Sequence, residues 1–203
     1  MNVARLNRVR IWDLPTRLFH WVLAVLVTGA LLTAEFGAMA WHMRLGQATL
    51  VLLAFRLLWG FVGGRWSRFA GFFREPGHDW KGSASVLVML AWLIAQVLSG
   101  MVADDEIMTA GPLRPRVSDG LSELGTHWHV AWGQWGVYAL VVLHLVAVAW
   151  QVLRGRSLVM PMVTGDKELT EAAPASRDDL RSRLLALGLI ALITCGYVVS
   201  IAA

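Results

Sequence analysis

Cysteine is almost absent from this chain: Cys195 is the single thiol in 203 residues. One thiol excludes an internal disulfide, a four-cysteine zinc or iron–sulfur site, and the Cys-x-x-Cys-His attachment of a covalently held haem. Charge is scarce too, at 16% of residues, against roughly a quarter in a water-soluble domain of ordinary composition. Apolar residues take up the difference, with 57% hydrophobic side chains and a mean hydropathy of +0.56. That balance belongs to an integral membrane protein, and the length allows one domain. The net charge of +4 and the pI near 10 do not indicate nucleic acid. The basic residues lie between apolar runs, where they report membrane topology.

Five stretches approach the roughly 20 residues that cross a ~30 Å hydrocarbon layer: 18–37, 42–62, 82–102, 127–152 and 184–202. The expected fold is therefore an all-α integral membrane protein, a four-helix transmembrane bundle followed by a fifth, C-terminal transmembrane helix. The fifth run has no interior charge and no histidine, and reads as an anchor. The first run, led by Arg5, Arg8 and Arg10, resembles a signal peptide, and Ala38-Met39-Ala40 resembles a cleavage site. The run exceeds the ~7–15-residue apolar core of such a peptide, so it is expected to remain as a membrane helix. No internal repeat is evident.

Lysine and arginine set the orientation. Arg5, Arg8, Arg10 and Arg17 precede or open the first run, and Arg56, Arg65, Arg68, Arg74 and Lys81 flank the second connection. Arg154, Arg156, Lys167, Arg177, Arg181 and Arg183 fall in or beside the fourth connection, leaving only Arg44, Arg114 and Arg116 for the opposite side. This asymmetry places the N-terminus in the cytoplasm of a bacterial inner membrane and the C-terminus outside. Trp12, Trp21, Trp41, Trp59, Trp66, Trp80 and Trp128 cluster near helix ends, where amphipathic rings favour the headgroup region. The polar segment 156–183, with Gly, Pro and mixed charge, reads as a flexible cytoplasmic linker. It separates a membrane domain over 1–155 from the helix at 184–203.

Six histidines are the chemically informative residues. His20, His42, His127, His129 and His144 lie in or beside the runs, and His78 lies in a cytoplasmic loop with no special role expected. Ionisable residues in membrane helices are costly and usually line an internal site. Any one of the five alone could be a packing residue, but their depths coincide. The first run goes outward and the second returns, so His20 lies near the inner face and His42 near the outer. The fourth run also goes inward, so His129 is near the outer face, and His144 lies about 22 Å deeper at 1.5 Å per residue. Two levels result, His20 with His144 and His42 with His129. Such pairs suit two stacked haems, because iron in a porphyrin has two axial positions that imidazole fills well. Gly29, Gly46, Gly133 and Gly136 would leave room for a ring.

Azimuth is less regular. At about 100° per residue, 15 residues leave His129 and His144 roughly 60° apart. A single extra residue can be absorbed by a π-bulge, a feature common at functional sites. His127 would be roughly 100° from His144, so His129 is the preferred partner and His127 the reserve. Arg17 and Arg56 lie near the inner level, where they could pair with haem propionates or simply snorkel. The acidic loop residues Asp104, Asp105 and Glu106 could steer a basic partner or only be solvated, and Glu35 reads as an interfacial carboxylate. The eight methionines look like packing.

The segments RIWDLPTRLFHW and WHMRLGQATLVLLAFRLLWGFVGGRWSRFAGF closely resemble the first two helices of the bacterial cytochrome b561 family, which includes the b-type cytochrome subunit of nickel–iron hydrogenases. The outside segment GPLRPRVSDGLSEL and the run HVAWGQWGVYALVVLH extend the likeness, so it covers roughly residues 8–155. The resemblance implies a four-helix core holding two non-covalent b haems. His20, His42 and His144 match the family's ligands. The family usually spaces its two helix-four histidines 14 apart, and residue 130 here is Val, so His129 is the nearest match. The implied function is electron transfer between the quinone pool and a periplasmic redox partner, either a c-type cytochrome or a hydrogenase or dehydrogenase subunit. The chain would be an electron-transfer subunit of a respiratory chain rather than a stand-alone enzyme, surrounded by membrane lipid, with a homodimer admitted. The competing expectation is a haem-free scaffold or transporter whose His42, His127 and His129 bind an extracytoplasmic metal.

Overall fold

The computed structural model describes residues 7–72, 80–107, 109–169 and 173–202. Arg5, Arg74 and His78 lie outside the described residues. Among the described residues five helices are long and apolar enough to cross a membrane, and the architecture is the expected all-α membrane bundle.

The first spanning helix, α1 (Leu14–Glu35), begins on a sequence-encoded cap. The side chain of Asp13 accepts the amide of Thr16, and Pro15 occupies a first-turn position where no hydrogen bond is lost. The helix ends in a short turn in which Gly37 takes φ +70°, a backbone conformation that disfavours any side chain. The chain then enters α2 (Met39–Val62). After a short 3₁₀ turn (Phe69–Gly71), α3 (Trp80–Val102) crosses back.

The fourth spanning element is longer than its apolar run. Ser118 caps α4 (Asp119–His127), which continues without a break through a π-helical segment (Trp128–Gly133) into α5 (Gln134–Leu153). The first two turns of α4 are polar, so hydropathy marks the span only from His127 onward. The chain finishes with α7 (Leu180–Ala202), which lies mainly against α2.

The segment 156–183 departs from expectation. It holds a short helix, α6 (Val159–Thr164), and a strand, β2 (Asp166–Leu169), which pairs antiparallel with β1 (Asn7–Arg10). Arg10 bonds Asp166 at 2.5 Å and Asp178 at 2.6 Å, and Arg183 bonds Asp178 at 3.1 Å. Burial alone would raise the Asp178 carboxyl. Hydrogen bonds from Arg183, the Leu14 amide and Arg10 outweigh it and hold that group below its ordinary range. A composition rich in Gly, Pro and charge suggested flexibility because the partner strand lies some 160 residues away, and local reading cannot see that pairing.

The core is centred on α2. Leu52, Leu53, Phe55 and Trp59 are buried there with Phe19 of α1, Leu90 and Leu93 of α3, Val137 of α5 and Ala186 of α7. The other spans leave large apolar side chains outward, such as Val25, Leu143 and Leu192, as expected where lipid replaces water as the surrounding medium. Trp21, Trp41 and Trp80 are exposed, as an interfacial anchor must be, whereas Trp59 and Trp66 are fully buried and cannot serve as anchors. These two are structural: Trp59 donates to Asp13 and Trp66 to the Pro174 carbonyl.

Candidate functional site

Four of the histidines form two facing pairs. At the end of the bundle away from Leu14, termed outer, His42 from the first turn of α2 faces His129 from the π-helical segment, with ring centroids 5.9 Å apart and planes at 76°. At the inner level, His20 of α1 faces His144 of α5 at 6.2 Å and 52°. Two imidazoles on opposite sides of one metal ion, each nitrogen about 2 Å from it, place their ring centres about 6 Å apart. Both pairs therefore have the spacing of bis-imidazole ligation, and each pair draws its members from helices distant in sequence.

The outer rings are oriented by main-chain carbonyls. His42 Nδ1 donates to Ala30 O at 2.9 Å, and His129 Nδ1 donates to Gln96 O at 2.8 Å with Ser99 Oγ at 3.3 Å. A proton committed at Nδ1 leaves the Nε2 lone pair free for a metal, the arrangement normally found around ligating histidines. Beside this pair lies a cavity of about 200 Å³ lined by Val27, Gly46, Gly100, Met101 and Val137 among others. A Cβ at Gly46 would meet nothing within 4 Å, whereas one at Gly100 would come within 2.7 Å of the His129 ring. The expected role of the other glycines is corrected by their neighbours. Gly29 receives Leu45, Gly133 receives Gln96 and Gly136 receives Trp92, so those three serve helix packing.

The π-helical segment falls at the position where the 15-residue spacing called for one absorbed residue. His127 precedes it on α4 and is exposed, and His129 is the member brought to His42. The three-histidine metal site of the competing expectation does not form. Among the described residues no group of three or more His, Cys, Asp or Glu side chains converges.

The inner pair has different surroundings. His20 Nδ1 is buried with no hydrogen-bond partner among the described residues, and Trp21 meets the ring edge-on at 4.9 Å. Arg17 donates to Val163 O at 2.6 Å and lies 3.6 Å from Asp178, while its Nε is buried without a partner among the described residues. Arg56 is 3% exposed and is enclosed by Phe19, Phe69 and Phe72, with its guanidinium 4.9 Å from the Phe69 ring. One of its nitrogens, Nη1, also lacks a partner among the described residues. A buried guanidinium nitrogen with open donor capacity suits an acidic group such as a carboxylate.

Asp13 is the residue that sequence reasoning missed. It is fully buried and accepts from Thr16 N, Gly64 N, Ser67 Oγ and Trp59 Nε1 at 2.8–3.2 Å. This single carboxylate ties the start of α1 to the end of α2 and the loop after it. The signal was present as Asp13-Leu14-Pro15-Thr16, a helix-start pattern, but only the fold reveals its other three partners. On the opposite side, Asp104 pairs with Arg114 at 3.1 Å, and Asp105 Oδ1 accepts from Ile107 and Thr109. Much of that acidic loop is engaged in holding its own turn.

A family model described as prokaryotic cytochrome b561 matches residues 11–165. That stretch contains both histidine pairs, Arg17, Arg56 and Asp13. No curated protein and no solved structure matches the chain.

Proposed function

The chain belongs to the prokaryotic cytochrome b561 family and is a membrane b-type cytochrome of electron transfer; on that premise we propose that it holds two non-covalent b haems, one between His20 and His144 and one between His42 and His129. The observation that carries this reading is the equal spacing of two imidazole pairs at the two ends of the same bundle. Haem b supplies one-electron redox chemistry at its iron. The protein supplies ligation, burial and orientation.

Three spanning helices contribute the roles, the fourth span supplying one imidazole to each pair. α2 and the π-helical segment present the outer imidazoles with their Nδ1 protons already committed to main-chain carbonyls. α1 and α5 present the inner pair, and Arg17 and Arg56 offer donors for propionates there. Two redox centres at opposite membrane faces would connect a periplasmic partner (a c-type cytochrome, or a hydrogenase or dehydrogenase subunit) with the quinone pool. The N-terminus is cytoplasmic in this scheme, which the concentration of Lys and Arg on one side supports. The haem-binding unit spans residues 1–155, with 156–183 as a cytoplasmic connection and 184–203 as an added transmembrane helix.

The direct test is a reduced-minus-oxidised spectrum of the protein purified from a haem-replete host, with haem counted per chain. Two b haems are expected. His20→Ala or His144→Ala should remove about half the absorbance, and so should His42→Ala or His129→Ala, each from the other site. His127→Ala should remove none. Loss of a haem in the His127 variant, or full haem content in the His129 variant, overturns the assignment.

A further inference from the structure

α3 carries no histidine, yet two of its side chains bond the backbone of the π-helical segment, at His129 and at Gly133. We propose that Trp92 and Gln96 of α3 act as a register lock: they hold residues 128–133 in the π turn and thereby keep His129 facing His42. The inference rests on the reading of His129 as an outer ligand.

Within a uniform α-helix the 15-residue interval would leave His129 about 60° out of line with His144. A π turn takes up one residue, but it is rare because its i→i+5 hydrogen bonds are less favourable than the regular ladder. An element in that state needs outside support. Here His129 O accepts from Gln134 N, five residues on, and receives a second donor from Gln96 Nε2 at 3.0 Å. At the other end of the segment, Gly133 O accepts from Trp92 Nε1 at 3.0 Å. Trp92 and Gln96 are four residues apart, so they project from one face of α3.

Two glycines on the opposing helix make the sockets. A Cβ at Gly133 would lie 1.7 Å from Gln96 Oε1, and one at Gly136 would lie 2.1 Å from the Trp92 ring. The main-chain carbonyl of Gln96 also accepts His129 Nδ1–H. One residue therefore grips both the backbone and the ring of the same histidine. Without the two side-chain donors, the segment gains by reverting to the α ladder. That change rotates His129 by about 100° relative to the rest of the helix and away from His42.

The test compares four proteins by haem content, by the rate of haem transfer to an apomyoglobin acceptor, and by the electron paramagnetic resonance signals of the oxidised haems. His129→Ala establishes the underlying reading by removing the outer haem. Gln96→Met keeps the side-chain volume and removes the donor. It is expected to speed outer-haem loss about fivefold, as for one lost buried hydrogen bond, and to shift only the outer resonance signal. Deleting Val130 shortens the interval to 14 residues, which a plain α-helix accommodates, so this variant should keep both haems. In that background Gln96→Met should have no effect. Trp92→Phe retains the ring in its socket and should act in the same direction as Gln96→Met, more weakly. If His129→Ala removes no haem, the ligand reading fails. If it does remove one, while Gln96→Met and Trp92→Phe leave the outer haem unchanged or Gln96→Met acts equally with and without Val130, the register lock is overturned.

Discussion

The two histidine pairs share a spacing but not a mode of support. The outer imidazoles are fixed by the backbone: both Nδ1 protons go to main-chain carbonyls, and one ring sits on a braced π turn. At the inner pair the His20 Nδ1 has no partner among the described residues, nor do Nε of Arg17 and Nη1 of Arg56. An Nδ1–H donated to a carbonyl makes an imidazole more electron-rich, which favours a ferric ligand set. A buried cation favours the reduced form. Both effects point the same way, so a redox titration is expected to resolve two components with the inner one at higher potential. Two imidazole pairs of similar spacing therefore need not make equal sites. A single component, or one in which the outer-site variants abolish the higher step, would break the comparison.

The largest effect that sharpens the contrast should come from Asp13. Asp13→Ala leaves up to four buried donors without an acceptor at the inner end, costing roughly 3 kcal/mol or more. A lowered unfolding midpoint in detergent is expected, with inner-haem loss preceding outer-haem loss. A smaller effect is expected from Arg56→Met, which exchanges a buried cation for a neutral side chain of similar length. The inner potential should fall by an amount on the order of tens of millivolts, with the outer potential unmoved. Equal shifts at both sites would show that the charge acts through the whole bundle.

The smallest effect concerns acidity. Asp178 and Asp166 are held below the ordinary carboxylate range; at Asp166 the hydrogen bond from Arg10 is the main cause. Groups depressed in this way stabilise the fold above their unfolded pKa, and that contribution disappears as pH falls through the folded value. The clasp joining β1, β2 and α7 should therefore loosen only below about pH 4. Amide exchange in residues 166–169 and 175–178 would rise there while the outer site stays protected. Loosening between pH 6 and 8 instead would contradict the pairing described.

How much was legible depended on range. The helix-start pattern at Asp13 and the five apolar runs are local features, and composition with 3.6-residue geometry was enough to read them. The pairing of histidine levels was legible too, because helical rise converts sequence interval into depth. His129 over His127 was a narrower reading, since it turned on a backbone irregularity that no side-chain pattern encodes. Trp59 and Trp66 were misread because a tryptophan near a helix end looks the same whether it faces headgroups or a buried carboxylate.

The sequence by itself determined the membrane class, the number of spans and the pairing of four histidines at two levels, since these follow from hydrophobic length and residue rise. Only the tertiary structure decided what holds each histidine in place. Gln96, Trp92, Asp13 and Asp178 act on elements far away in the chain, and their hydrogen bonds exist only once helices and strands from distant segments are packed together.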